Sequence, residues 1–576
     1  MKEEILKKAA LWLSDSYDLE TRTKVKHLIA SEPKELEEHF GRDLEFGTGG
    51  LRGIMGVGTN RMNEYTVAMA TQGLANYLND CFKNEPISAA VAYDSRHNST
   101  FFAEIATNVL SANGIQVYLF DALRPTPELS FAVRHLKCKT GIVITASHNP
   151  SEYNGYKVYW EDGAQITPPH DKNIIAETLK INNLSSVKRT PNPKLIHRIG
   201  AEIDKEYLRA LKTLLLSPQA IANHSDMKIT FSPLHGAGTH LVPLALADFG
   251  FNNIIKVTEQ SEPDGAFPTV VSPNPEEKEA MTIALETAKS QNADLILATD
   301  PDADRVGVAI KNDKGEFVLL NGNQTAAILF YYILDRWNDL GRLTGKQFTV
   351  KTIVTTALLE SISNSYNTPC FDVLTGFKYI AEIIRNNEGK LTYIVGGEES
   401  YGYLTGDFVR DKDAVSSCCM IAEAAAWARE QGKSLYDILI DIYLKYGFYK
   451  EHLISITRKG ISGSQEIAEI MYHYRENTPK SINGIEIVTL KDYKTRISKN
   501  LITGEQTAID LPKSDVLQLI LQDESIITVR PSGTEPKIKF YFGVKSKLNS
   551  KEEFEEVNAL LGSRIEEIAV SLQLDN

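Results

Sequence analysis

Short apolar runs alternate with longer amphipathic stretches through the first three-quarters of the chain, and that alternation predicts βαβ units around mainly parallel sheets. Residues 89–93 read as a strand, 101–113 as a helix, and 115–120 and 141–146 as strands. The pattern breaks at 182–198, a polar, proline-containing stretch with the character of a linker. It resumes with strands at 228–231 and 295–299, separated by a loop that opens Ser232-Pro233-Leu234-His235-Gly236. A third block holds a helix over 324–337, strands over 348–354 and 392–395, and helices over 414–430 and 435–445. The remainder changes character. Strands at 453–457, 525–529 and 537–544, with helices at 465–475 and 551–572, describe a smaller α+β unit. There is no short-period repeat and no low-complexity tract.

A chain of 576 residues exceeds what one core can organise. The net charge of -13 argues against general nucleic-acid binding and against docking on an anionic membrane. It also means that any anionic substrate would need a locally basic pocket. Five cysteines form no disulfide or metal-binding spacing, which points to a reducing cytoplasm. The first fifteen residues are charged and amphipathic, unlike a signal peptide, and the longest apolar run, 325–334, is too short for a bilayer.

Two polar turns carry the chemistry. Thr145-Ala146-Ser147-His148-Asn149-Pro150 follows a strand and puts a hydroxyl at the strand's carboxyl edge, where open α/β sheets place their sites. It also fits a structural ST-turn. Adjacent Ser147 and His148 are poor geometry for a Ser-His pair, and no G-x-S-x-G elbow surrounds them, so a serine hydrolase is disfavoured. The second turn is Asp300-Pro301-Asp302-Ala303-Asp304-Arg305, whose carboxylates can converge on a hard cation such as Mg²⁺. An EF-hand reading fails, because Arg305 and Lys311 stand where glycine and glutamate belong. A phosphatase with an aspartyl nucleophile and a merely solvated acidic loop both remain open here. Lys157 lies ten residues beyond Ser147 and could return to the same site.

Three further segments add weaker signals. Arg530-Pro531-Ser532-Gly533-Thr534-Glu535-Pro536-Lys537-Ile538-Lys539 has the donors of an anion cradle, or of a basic hairpin turn. Gly397-Glu398-Glu399-Ser400-Tyr401-Gly402 offers carboxylates suited to sugar hydroxyls, or an acidic loop. Gly47-Thr48-Gly49-Gly50-Leu51-Arg52-Gly53 is neither a Walker loop nor a convincing dinucleotide fingerprint.

In their order, GTGGLRG, TASHNP, DPDADR, GEESYG and RPSGTEPK resemble the α-D-phosphohexomutase family over nearly the whole chain. GEES together with Thr375-Gly376-Phe377-Lys378 is more similar to the phosphoglucomutase and phosphopentomutase branches than to phosphomannomutases. The resemblance implies three similar mixed-sheet α/β domains and a smaller C-terminal α+β domain around a central cleft, at 1–200, 201–320, 321–448 and 449–576. It implies an isomerase that moves a phosphoryl group within a hexose phosphate, through a phosphorylated Ser147 and glucose 1,6-bisphosphate. It implies one Mg²⁺ held by Ser147 phosphate, Asp300, Asp302 and Asp304. Arg52, Lys157 and His148 match positions beside the phosphoserine. Arg305, Thr375, Gly376, Lys378, Glu398, Ser400 and Lys412 match substrate-contacting positions. Arg530, Ser532, Gly533, Thr534 and Lys539 fall in the distal phosphate loop, which is shorter here than the glycine-rich form of some eukaryotic relatives. The expected enzyme is cytoplasmic, a monomer or weak homodimer, with no nucleic-acid or membrane partner.

Overall fold

The computed structural model describes residues 2–44, 50–181, 183–458, 460–532 and 537–574. They form two compact units. The first comprises Met1–Asn321, Ala381–Glu388 and Tyr401–Glu430, and the second Gly322–Ile380, Gly389–Ser400 and Gln431–Asn576.

The first unit opens with three helices, Lys2–Leu11, Leu19–Ser31 and Pro33–Phe40. Asp18 caps the second by accepting from the Thr21 amide at 2.9 Å, and Pro33 starts the third where a missing N–H costs nothing. Val25, Leu28, Leu36 and Phe40 from these helices, with Trp12 just past the first, bury against Tyr65 and Ala68. Two sheets follow. In the first, β1 (Gly50–Ile54), β2 (Ser88–Tyr93), β3 (Gln116–Phe120), β4 (Thr140–Ile144), β5 (Tyr153–Trp160) and β6 (Ile196–Ile199) run in the order β1-β5-β4-β2-β3-β6. In the second, β7 (Ile229–Ser232), β8 (Ile254–Lys256), β9 (Leu295–Thr299), β10 (Val306–Lys311) and β11 (Phe317–Leu320) run in the order β11-β10-β9-β7-β8.

Both sheets follow one plan. Parallel strands β4, β2, β3 and β6 are extended by antiparallel β5 and β1. Parallel β9, β7 and β8 are extended by antiparallel β10 and β11. The sheets are therefore mixed, and the antiparallel return strands β5 and β10 place a tight turn at the carboxyl end of a buried parallel strand. The stretch at 182–198 is not wholly a linker. Its last residues join β6, an edge strand in which Ile196 and Ile199 bracket the exposed His197 and Arg198.

The second unit carries parallel strands β12 (Gln347–Thr352), β13 (Cys370–Val373) and β14 (Thr392–Gly397), with β12 between the other two. The chain then switches from the helix Leu435–Tyr446 to the strand Phe448–Thr457 at Gly447, whose φ of 98° only glycine adopts readily. That strand begins an antiparallel sheet that continues through Lys537–Ser546, Ile526–Pro531, Leu517–Leu521 and Ile485–Asp492, flanked by helices Gly460–Glu476 and Phe554–Ser571. Ile353, Val354 and Leu374 bury against Tyr493, Val516 and Tyr541, and Gln518 donates to the Ile353 carbonyl at 2.8 Å. Among the described residues no helix is long and apolar enough to cross a membrane.

Candidate active site

The β4–β5 turn carries Ser147 and the β9–β10 turn carries Asp300, Asp302 and Asp304. Each turn holds one of these segments in a left-handed conformation at a residue other than glycine, Ser147 at φ 52° and Ala303 at φ 50°. Such backbone persists only where surrounding contacts enforce it, and it concentrates at functional sites. Thr145 Oγ1 accepts the Ser147 amide at 2.8 Å. Ser147 Oγ then donates to Asp300 Oδ2 at 2.7 Å and lies 3.2 Å from His148 Nδ1. Asp300 Oδ1 accepts the amides of Asp304 and Arg305, both at 3.0 Å. The hydroxyl and Asp300, 153 residues apart in sequence, are thus in direct contact.

All three aspartates are buried, with one oxygen of each within 4.8 Å of the others. Lys157, on β5, sits 2.7 Å from Asp302 Oδ2 and 3.4 Å from Asp304 Oδ2. Lys412 sits 3.2 Å from Asp304 Oδ2, and Arg305 Nε 3.8 Å from Asp304 Oδ1. Asp300 has no cation within ion-pair distance among the described residues. Burial, then the charges of Asp304 and Asp302, push its carboxyl well above the ordinary carboxylate range. Burial acts the same way on Asp302, but Lys157 outweighs it and holds that carboxyl below the usual range. At Asp304, burial and Asp302 push up, and Lys412, Lys157 and Arg305 prevail to lower it. Asp302 Oδ1 and Asp304 Oδ1 are buried without a hydrogen-bond partner. A dry cluster of carboxylates, short of positive charge and with lone pairs left over, fits a hard divalent cation.

Further charged and titratable side chains flank the two turns. Arg52, exposed on β1, donates from Nη1 to Asn149 Oδ1 at 3.2 Å. Burial, followed by the nearby Arg305 and Arg52 charges, holds the His148 imidazole well below its ordinary pKa and therefore neutral. Arg305 pairs with Glu276. Gly402 clears the way for Lys412, since a Cβ there would lie 2.0 Å from Lys412 Cδ.

Several contributors are not visible in the motifs. Thr126, at a helix start, donates from Oγ1 to Asp302 Oδ2 and from its amide to the Asp302 carbonyl, each at 2.8 Å. Glu276 holds Arg305, and Arg96 gathers the carbonyls of the Ser147 turn. The loop after β7 supports the aspartate turn from beneath. The Ala237 amide donates to the Pro301 carbonyl at 2.7 Å, and a Cβ on Gly236 would lie 2.4 Å from Pro301 Cα. Backbone cannot yield there as a flexible side chain would. Gly236→Ala should therefore shift the aspartate turn and weaken Mn²⁺ binding about 10- to 100-fold by calorimetry, and unchanged affinity would show that the contact is not needed.

Arg305 and Lys412 belong to the first unit, and the other sugar and phosphate candidates to the second. After β14, Glu398 is buried, and its Oε1 accepts the Gly376 amide at 2.9 Å. Gly376, at φ 121°, occupies a conformation that favours glycine. Thr375 Oγ1 is buried without a hydrogen-bond partner, and Lys378 Nζ lies 5.2 Å from the Tyr379 ring centroid. Ser400 is half-buried in the same turn as Glu398. Arg530 and Lys539 are cross-strand partners, and the Ser532 amide donates to the Lys537 carbonyl at 2.7 Å. Arg530 Nη1 reaches Tyr541 Oη at 3.5 Å. Gly533 and Thr534 lie outside the described residues, as do Gly47, Thr48 and Gly49.

Comparison with known proteins bears on this arrangement as a whole. Family models for phosphoglucomutase/phosphomannomutase alpha/beta/alpha domains I, II and III match residues 43–185, 205–315 and 321–446. A phosphoglucomutase of Staphylococcus epidermidis is 38% identical over 514 residues, 88% of this chain and 92% of that protein. A phosphoglucomutase of Staphylococcus aureus strain MSSA476 is 38% identical over 560 residues, 96% of this chain and 98% of that protein. Among solved structures, a phosphoglucomutase/phosphomannomutase family protein of Burkholderia thailandensis shares the fold at TM-score 0.64 and 15% identity, covering 92% of this chain and 98% of that one. The Paramecium phosphoglucomutase pp63/parafusin, in an open form, does so at TM-score 0.65 and 17% identity, covering 92% and 95%. Mixed α/β sheets that present their turns in one pattern, and identity along almost the full length of curated relatives, lead to one conclusion: the chain belongs to the phosphoglucomutase/phosphomannomutase family of α-D-phosphohexomutases.

Proposed function

We propose that this chain is a phosphoglucomutase, an isomerase of carbohydrate metabolism that interconverts α-D-glucose 1-phosphate and glucose 6-phosphate through a phosphorylated Ser147 and glucose 1,6-bisphosphate. The observation that carries the reading is the 2.7 Å contact between Ser147 Oγ and Asp300 in a chain 38% identical to phosphoglucomutases. Four domains, 1–200, 201–320, 321–448 and 449–576, contribute to the work.

In the first half-reaction the Oγ–P bond of phosphoserine breaks as a P–O bond forms to the free hydroxyl of the sugar monophosphate. The proton leaving that hydroxyl is matched by one arriving on Ser147 Oγ. His148, neutral and 3.2 Å from Oγ, has a ring lone pair to offer and is placed to take up the proton that leaves the sugar hydroxyl. For Lys157, burial opposes the charge, but Asp302 and Asp304 overcome it and raise its pKa, so the ammonium stays charged and acts as the acid partner. Arg52 and Arg305 add positive charge for the transferring oxygens. Asp300, Asp302, Asp304 and the Ser147 phosphate would hold one Mg²⁺ per chain, which would supply charge to offset repulsion between a phosphate of about -1.5 to -2 and three carboxylates. Thr375, Gly376, Lys378, Glu398, Ser400 and Lys412 are assigned to the sugar. Arg530, Ser532, Gly533, Thr534 and Lys539 are assigned to the phosphate that is not in transit. The bisphosphate must exchange ends before Ser147 recovers its phosphoryl group, so those groups must accept either end. We read the enzyme as cytoplasmic, a monomer or weak homodimer.

A phosphatase using Asp300 as nucleophile is poorly served, because Oδ1 already accepts two amides and Oδ2 accepts Ser147. Glucose 1-phosphate, mannose 1-phosphate and ribose 1-phosphate, assayed side by side with catalytic glucose 1,6-bisphosphate, test the reading. Glucose 1-phosphate should give the highest kcat/KM. A clear preference for mannose or ribose would move the chain to another branch, and release of inorganic phosphate in place of isomerisation would overturn the mutase.

A further inference from the structure

The side chain most engaged with the Ser147 turn is none of those supplied by the motifs. Arg96 follows β2 in Tyr93-Asp94-Ser95-Arg96 and is buried, at 3% exposure. Its Nη2 donates to the Ser147 carbonyl at 2.5 Å and to the Asn149 carbonyl. Its Nη1 donates to the carbonyls of Pro150 at 2.8 Å and Tyr153 at 3.1 Å. One planar fork therefore ties four carbonyls of a seven-residue stretch, the stretch in which Ser147 is held at φ 52°.

The guanidinium is itself fixed from two sides. Asp94 Oδ2 lies 3.4 Å from Nε, while Asp94 Oδ1 accepts the Arg96 amide at 2.9 Å and Ser99 Oγ at 2.7 Å. From the other sheet's domain comes Phe267, buried and at φ 49°, whose ring centroid lies 4.9 Å from the guanidinium carbon. The same segment makes two further contacts, one with the loop that carries Arg96 and one with the serine turn. A Cβ on Gly265 would lie 2.4 Å from the His97 amide nitrogen, and Ser272 Oγ donates to the His148 carbonyl at 3.0 Å. So the segment around Phe267 belongs to the domain that supplies the aspartates, and it covers the residue that shapes the serine's turn.

We propose that Arg96, clamped between Asp94 and Phe267, is a positioning residue that aims Ser147 Oγ at Asp300 and keeps that aim while the phosphoryl group comes and goes. The inference rests on the reading of Ser147 as the phosphoryl carrier. Arg96 does not touch the reacting atoms; it acts through the backbone of the turn. Lysine could keep the charge but not the fork, so Arg96→Lys separates geometry from electrostatics. Phe267→Leu keeps Arg96 and Asp94 and removes only the ring that presses on the guanidinium.

The test follows loading of Ser147 by glucose 1,6-bisphosphate, read by intact mass against time, alongside steady-state kinetics and Mn²⁺ calorimetry. Arg96→Lys should load about 100-fold more slowly and lose kcat in proportion, while KM for glucose 1-phosphate and Mn²⁺ affinity stay within about threefold of wild type. Phe267→Leu should load about tenfold more slowly with the same split. Should Arg96→Lys fail to fold, Phe267→Leu decides alone. A Phe267→Leu protein that loads at the wild-type rate overturns the clamp, as does an Arg96→Lys protein whose defect lies in KM or in Mn²⁺ affinity. A wild-type chain that never takes phosphate on Ser147 removes the mutase reading and the clamp with it, and that control is visible before any variant is compared.

Discussion

Ser147→Ala should lower kcat by roughly 10⁶-fold and abolish the phosphorylated fraction in intact-mass spectra, by comparison with removal of other catalytic nucleophiles. The loss arises because no neighbouring group can substitute as carrier. Asp300 still accepts two backbone amides on Oδ1, and its carboxylate is one of the three offered to the cation. The fold should tolerate the change. Alanine meets the same φ of 52° as serine, and only the donor to a buried carboxylate disappears, a loss of about 1–3 kcal/mol. A variant that stays folded, is never one phosphate heavier and isomerises nothing supports the phosphoserine route. A variant that retains substantial turnover would assign the chemistry to Asp300 and end the mutase reading.

The site was legible in the sequence where its chemistry is contiguous. Ser147 and the aspartates stand in short polar turns after buried strands, so side-chain type, spacing and strand position agree within a few residues. Arg96, Thr126, Glu276 and Phe267 were not legible, because each gains its role only from what the fold brings near it. Arg96 stands in an ordinary polar stretch whose value lies in four carbonyls 51 to 57 residues away. The strands β5 and β10 were also missed. In β5, Asn154, Gly155 and Lys157 interrupt the apolar run, yet all are buried because the structure answers their polar groups: Asn154 Nδ2 donates to the His97 carbonyl at 2.9 Å and to Ser99 Oγ at 3.0 Å. A buried strand with polar content has neither the alternation nor the continuous apolar run that marks strands locally. The C-terminal strands Ile485–Asp492 and Leu517–Leu521 were missed as well. The helix Ala414–Glu430 was located correctly, but its packing against Gly238–Phe249 could not be read from a chain in which the two lie far apart.

Lys157→Met should produce the second large effect, and it separates a counterion role from a merely catalytic one. In the metal-free protein, Lys157 supplies the nearest positive charge to Asp302 and shares Asp304 with Lys412. Methionine preserves much of the volume and removes the charge. Breaking a buried ion pair from one side leaves an uncompensated carboxylate, at a cost of about 3–5 kcal/mol. Urea unfolding of the metal-free variant should show that loss. With saturating Mg²⁺ or Mn²⁺ the deficit should shrink to a fraction of it, because a divalent cation answers the same carboxylates. The variant should also bind Mn²⁺ at least as tightly as the wild type, since no ammonium has to leave the carboxylates first. With the divalent ion bound, catalysis should still fall, because the variant has also lost the acid partner of the transfer. Equal destabilisation with and without the divalent ion, or weaker Mn²⁺ binding, would mean that the ammonium does not stand in for the cation, and that the trio is kept folded by Thr126, Lys412 and the backbone amides on Asp300 instead.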